Sequence, residues 1–120
     1  MTGEWAEEEF ISDLHHALRT TRRRLVIEFL STSPKSTVSL RVLAQEVAAH
    51  EQGVEPEFVS GEPYRNVYTA LSQTHLPTLR EIRIVEYDAA RQTVSVGDTL
   101  PLAALLVALN RSTVRTLRLC

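Results

Sequence analysis

Apolar residues recur along this chain at two different periods, and the change of period marks its elements. Between Glu7 and Arg19, Phe10, Leu14 and Leu18 repeat every four residues, with Ile11 and Ala17 widening the stripe. That spacing predicts a first helix, with Trp5 placed to pack on its entry. A second helix is expected from Arg22 to Ser31, capped by Thr20 or Thr21 and carrying Leu25, Val26, Phe29 and Leu30 on its apolar face. The turn cluster Ser33-Pro34-Lys35-Ser36 ends it. Val38 is either a short strand or a packed lead-in. Ser39 then caps a third helix, Leu40 to Glu51, whose Leu40, Leu43, Ala44, Val47 and Ala48 face inward.

Gln52 to Glu62 is a long acidic connection with Gly53, Pro56 and Gly61, and Pro63 suits the first turn of a fourth helix. That helix is expected over Tyr64 to His75. Pro77 must kink or end it, because proline lacks the N–H of the helical ladder. A further turn through Leu79 to Ile82 follows. The period then drops to two. Ile84 to Tyr87 and Thr93 to Val96 read as strands, joined by the polar connection Asp88 to Gln92.

On the fourth helix Val67, Leu71 and Leu79 share a buried face. Arg65, Asn66, Thr69, Ser72 and Gln73 project from the other side. These short or planar hydrogen-bonding side chains are the kind that read base edges in a major groove. An ordinary solvated helix face would also carry them. Pro101 to Leu119 is helical again, with Leu102, Leu105, Leu106 and Leu109 in a dense stripe and Val114 and Leu117 beyond it. Such a stripe must be buried, either on its own domain or, the preferred expectation, on a second copy.

At 120 residues the chain suits one folded body, read as a domain over residues 1–98 followed by the apolar helix 99–120. Its formal net charge of −2 excludes a general nucleic-acid coat, but the charge is segregated. Arg19, Arg22, Arg23 and Arg24 lie together, and Arg111, Arg115 and Arg118 recur near the end. The acids gather at Glu4 to Glu9 and Glu51 to Glu62. The single cysteine, Cys120, permits no internal disulfide, which fits a reducing cytoplasm. No secretory leader is evident. The longest apolar run, Leu100 to Leu109, is about half of the roughly 20 residues a membrane span needs.

Catalytic and metal chemistry find little support. His15 and His16 are adjacent and diverge on a helix, while His50 and His75 lie apart with no zinc spacing. There is no nucleophile elbow and no glycine-rich phosphate loop. Glu7, Glu8 and Glu9 read as a solvated face. No enzyme, cofactor or metal is expected.

Three helices, a recognition helix, a two-stranded wing and a terminal helix follow the order of a winged helix-turn-helix. His75-Leu76, Leu79, Glu81 and Ile84-Val85 resemble the end of the recognition helix and wing entry in ArsR-like repressors. A closer resemblance is to winged-helix domains of halophilic archaea, mostly of unknown function. It is carried by Leu71-Ser72, His75-Leu76-Pro77, Leu79 and Val85-Glu86-Tyr87-Asp88, by Arg22 to Leu30 upstream, and by Leu43, Ala44, Val47 and Ala48. It covers about residues 10–97 and leaves out the terminal helix. Arg83 departs from it, since those families place glycine there to take a left-handed backbone. Either the turn differs here, or arginine is tolerated because its charge reaches a phosphate or an acidic partner.

The fold class expected is therefore mainly α with a small β-wing (α+β): a winged helix-turn-helix plus a dimerising terminal helix. The resemblance implies a cytoplasmic, homodimeric regulator of double-stranded DNA. Asn66, Thr69, Ser72 and Gln73 are the candidates for base or backbone contacts, with Arg65 on phosphate or guanine and Thr74 in second rank. Arg91 and Gln92 at the wing tip, and Arg22 and Arg23 on the second helix, are candidate phosphate contacts. A solvated or salt-bridged surface role competes for each arginine. Leu102, Leu105, Leu106 and Leu109 are the candidate dimer contacts. A small-molecule effector has room in the acidic loop or in a cleft beside the terminal helix, but no residue set names one. A protein-interaction module is the rival expectation, favoured by the low net charge and the acidic loop.

Overall fold

The structure is a computed structural model that describes the backbone of residues 3–119 and the side chains of residues 7–110. Expectations for Trp5, Arg111, Val114, Arg115, Leu117, Arg118 and Cys120 lie outside the described side chains.

Helices α1 (Gly3–Ala17) and α2 (Thr21–Thr32) lead into a short strand β1 (Thr37–Ser39) and helix α3 (Leu40–Gln52). A 3₁₀ turn (Pro56–Phe58) precedes α4 (Gly61–Ala70). A π-helical turn (Leu71–His75) joins α4 to α5 (Leu76–Glu81). Strands β2 (Val85–Asp88) and β3 (Thr93–Val96) form the hairpin, and α6 (Leu100–Leu119) closes the chain. The sheet is antiparallel in the order β1-β3-β2, with Val38 opposite Val94 and Tyr87 opposite Val94 on the other side. Val38 thus belongs to a true strand. The molecule is mostly helical with a small sheet, the mainly α, α+β, winged-helix-like arrangement expected.

The helix ends follow from local chemistry. Ser39 Oγ accepts from the Val42 N–H at 3.1 Å and caps α3. Gly53 (φ +70°) ends α3 in the left-handed region, with its N–H and that of Val54 turned back to the carbonyls of His50 and Ala49. Thr20 stands at the start of α2, but its side chain makes no capping bond.

Pro77 does not end its helix. It has no N–H to offer the Gln73 carbonyl, and its ring needs room there. The backbone widens by one residue instead. The Leu76 N–H donates to the Leu71 carbonyl, five residues back, and the helix continues to Glu81. The fourth helix also begins at Gly61, ahead of the expected Tyr64. This continuous rod spans α4, the π turn and α5.

Val67, Leu71, Leu76 and Leu79 all lie on the rod's buried side, each 0–1% exposed. They meet Leu40, Leu43 and Val47 of α3, Ile27 of α2, and Val85 and Val94 of the sheet in one core. Burial of each such Leu or Val contributes about 1.5–3 kcal/mol, so the rod's orientation is fixed by its apolar side.

Arg83 holds a left-handed backbone (φ +60°) directly after α5. Its N–H bonds the Arg80 carbonyl at 3.0 Å, and the Ile84 N–H bonds the Leu79 carbonyl at 3.0 Å. This is a Schellman closure, with the buried pair Leu79 and Ile84 as its apolar contact. The turn is thus the one glycine would make, built with arginine.

Helix α6 corrects the expected stripe. Leu100, Ala103 and Val107 pack against α2 within the same core, at 0–4% exposed. Leu106 is partly buried there as well, so it contributes to its own domain. Leu102, Leu105 and Leu109 remain outside, at 43%, 54% and 53% exposed. One helix therefore carries two apolar faces, one packed at home and one uncovered.

Candidate nucleic-acid interface

The face of α4 opposite Val67 and Leu71 carries Glu62, Arg65, Asn66 and Thr69, all exposed. Gln73 and Thr74 continue it, exposed on the π turn. Ser72 is half-buried, and its hydroxyl donates to the Thr69 carbonyl at 3.1 Å, leaving the oxygen as an acceptor. The Thr78 hydroxyl donates to the Thr74 carbonyl at 2.8 Å, a back-bond across the turn that holds Pro77. Arg65, Asn66, Thr69, Ser72, Gln73 and Thr74 are thus brought onto one continuous surface.

The hairpin loop Ala89–Gln92 forms the wing tip. Asp88 Oδ1 accepts from the Arg91 N–H at 3.1 Å, and Gln92 takes a left-handed backbone (φ +53°). The Gln92 carbonyl accepts from the Leu40 N–H at 2.9 Å, which ties the wing to the start of α3. The Arg91 side chain is 84% exposed and makes a loose ion pair with Asp88 at 3.9 Å.

Arg23 of α2 is buried and committed to the fold, which corrects its assignment as a phosphate contact, and Arg22 takes the salt-bridged role that competed with its own assignment. Arg23 is only 6% exposed. Its Nε donates to the Ala17 carbonyl at 2.8 Å and its Nη2 to the His16 carbonyl at 3.1 Å. Its Nη1 lies 3.4 Å from His75 Nδ1. Arg22 makes a two-pronged ion pair with Glu51 of α3 at 2.6 and 3.0 Å. Arg24 donates to the Leu18 carbonyl and the Thr21 hydroxyl. The arginines close the α1–α2 corner and pin it to α3 and the π turn.

His75 sits where these elements meet. Burial, then the charges of Arg23 and Arg22, push its pKa below the ordinary imidazole range, while Glu51 opposes them. A neutral ring fits the contact with Arg23, because its Nδ1 must accept.

Several surface residues were not singled out from sequence. Arg41, exposed near the start of α3, lies close enough to act electrostatically on the Tyr64 phenol beside the α4 face. Glu62 stands at the leading end of that face. Phe58, 73% exposed, and Val54, 42% exposed, protrude from the connection among Glu55 and Glu57. Tyr64 and Tyr68, spaced one turn apart, were a legible signal for the rim of the face.

A groove of about 590 Å³ runs between α2, α3 and α6, with Phe29, Val47 and Val107 as apolar wall and Glu28, Glu46 and His50 at its edge. It is the cleft anticipated beside the terminal helix. Among the described residues no group of three His, Cys, Asp or Glu side chains could hold a metal ion, and no helix is long and apolar enough to cross a membrane.

No curated protein and no solved structure matches the chain. A family described as Domain of unknown function (DUF7344) matches residues 15–95, from the last turn of α1 to within β3 and short of α6. That match takes in more than half of the chain and every residue of the α4 face and the wing tip, so the protein belongs to the DUF7344 family.

Proposed function

We propose that this protein is a sequence-specific, DNA-binding transcriptional regulator that acts as a homodimer. The observation that carries the proposal is the two-sided α4–π–α5 rod. Its inner side is fixed in the core by Val67, Leu71, Leu76 and Leu79. Its outer side offers Arg65, Asn66, Thr69, Gln73 and Thr74 to solvent, and the wing arginine Arg91 is exposed as well. Asn and Gln pair with adenine edges and Arg with guanine, so this helix has the chemistry to read a major groove. Arg41, Arg65 and Arg91 supply phosphate contacts, with the wing on the backbone or in the minor groove. The uncovered Leu102, Leu105 and Leu109 suit pairing with the same face of a second copy, which would set two half-sites about one helical turn apart.

A protein-interaction module is the second reading. Phe58 and Val54 protrude among acids next to α4, and Arg22, Arg23 and Arg24 are engaged within the chain. An exposed aromatic anchor with an acidic rim suits a basic-edged pocket on a partner protein.

Selection of genomic fragments by the purified protein separates the two. Recovery of a near-palindromic site supports the homodimeric regulator. Recovery of no preferred sequence contradicts it and moves the weight to the interaction module.

A further inference from the structure

Three tyrosines, Tyr64 and Tyr68 of α4 and Tyr87 of β2, pack against the core. Tyr64 and Tyr68 lie one helical turn apart, their rings stacked with centroids 5.9 Å apart and planes 18° from parallel. Tyr68 acts electrostatically on both Tyr64 and Tyr87, so the three phenols form one row. A guanidinium stands at each end. Arg41 acts on the Tyr64 phenol, and the Arg80 guanidinium lies 5.9 Å from the Tyr87 ring centroid.

The rings and the hydroxyls have different surroundings. All three rings pack on the core. Among the described residues no protein atom hydrogen-bonds any of the three hydroxyls, and none is a buried polar atom without a partner. They therefore face solvent as unused donors. Burial, and then Tyr68, push the Tyr64 and Tyr87 phenols above their ordinary range, so both keep their protons. The carboxylates of Glu86 and Asp88 alternate to the other face of β2 from Tyr87, and Asp88 holds the Arg91 N–H.

The row borders the reading face. Tyr64 and Tyr68 sit about 100° round the helix from Arg65 and Thr69, on the side toward the wing. We infer that Arg41, Tyr64, Tyr68, Tyr87 and Arg80 form a track for the phosphate backbone of one DNA strand, which holds the duplex while α4 reads its bases. Tyrosine hydroxyls are among the groups that bond phosphate and carry no sequence information. The track rests on the DNA binding proposed above.

Tyr64→Phe, Tyr68→Phe and Tyr87→Phe, singly and together, test it by anisotropy titration of the selected fragment and a scrambled fragment across salt concentrations. Phenylalanine keeps the ring packing and removes only the solvent-facing hydroxyl. Each single change is expected to weaken binding about three-fold, and the triple change about thirty-fold, for both fragments alike. The salt dependence stays unchanged, since the lost donors are neutral, whereas Arg80→Gln flattens it by about one unit of log–log slope. A triple variant that binds like the wild type, or loses affinity for the selected fragment alone, overturns the track and leaves DNA recognition standing. A wild-type protein that binds neither fragment overturns both.

Discussion

Arg23 Nη1 lies 3.4 Å from His75 Nδ1, and this contact joins α2 to the widened turn that carries Ser72, Gln73 and Thr74. The other nitrogens of the same guanidinium hold the carbonyls of Ala17 and His16. One buried side chain thus sets three segments against each other. The neutral state of His75 is part of that arrangement.

Acid should loosen it. The folded pKa of His75 is lowered, while in the unfolded chain it returns to about 6.5. Below that pH the unfolded chain takes up a proton that the folded protein resists, so stability falls as pH drops. Above it both states hold a neutral ring, and this contribution has no slope. Urea midpoints of the wild type and His75→Gln, compared at about pH 8 and about pH 5, should show the wild type losing more on the acid side. Parallel losses would contradict the assignment.

Arg23→Leu should destabilise by about 1–3 kcal/mol, because it takes the side-chain donor from the buried Ala17 carbonyl and leaves the His16 carbonyl only the Arg19 N–H. Arg22→Ala should cost less, since its ion pair with Glu51 lies nearer the surface. Chemical denaturation of both variants decides the order. A harmless Arg23→Leu would mean that the corner does not depend on this side chain.

Gly97 and Arg83 make an opposed pair. A Cβ on Gly97 would come within 2.3 Å of the Arg83 carbonyl oxygen, a backbone atom that cannot step aside. Gly97→Ala is therefore expected to cost about 2–4 kcal/mol. Arg83→Gly should have the opposite sign. Relief of the left-handed strain, about 1–2 kcal/mol, exceeds the added freedom of the unfolded chain, about 0.5–1 kcal/mol. Melting of the two variants should move in opposite directions, and a shared direction would refute the account of this turn.

Leu102→Glu and Leu105→Glu should yield a monomer that keeps its helical signal, because neither side chain enters the core that Leu100, Ala103 and Val107 complete. Sedimentation velocity over a range of concentrations reads this directly. A variant that stays dimeric, or a wild type that is monomeric throughout, would remove α6 as the pairing element.

The fold was legible where a period repeated long enough to define a face. Val67, Leu71 and Leu79 were placed inside by spacing alone, and Ser39 was named as a cap and acts as one. Of the two alternatives for Arg83, a different turn or a charge that reaches a phosphate or an acidic partner, the structure excludes the different turn. The detour around Pro77 was foreseen only as a kink or an end. A π turn depends on whether the following turn has a core to bury, and Leu76 and Leu79 supply one. Arg23 was not legible as a buried residue, because sequence shows charge but not what it meets. Arg23 faces two carbonyls and an imidazole that only the α1–α2 corner brings together. On α6 an apolar run with leucine on most sides does not say which face turns home, and small Ala103 allowed the close approach.

The most direct test of DNA recognition is competition binding of the selected fragment against scrambled DNA, for the wild type and for Arg65→Ala/Asn66→Ala/Gln73→Ala. All three side chains are exposed, so the fold should survive the change. The account predicts that the wild type prefers the selected fragment and that the variant, with unaltered melting, binds both fragments equally and weakly. A variant that retains the wild-type preference would contradict it.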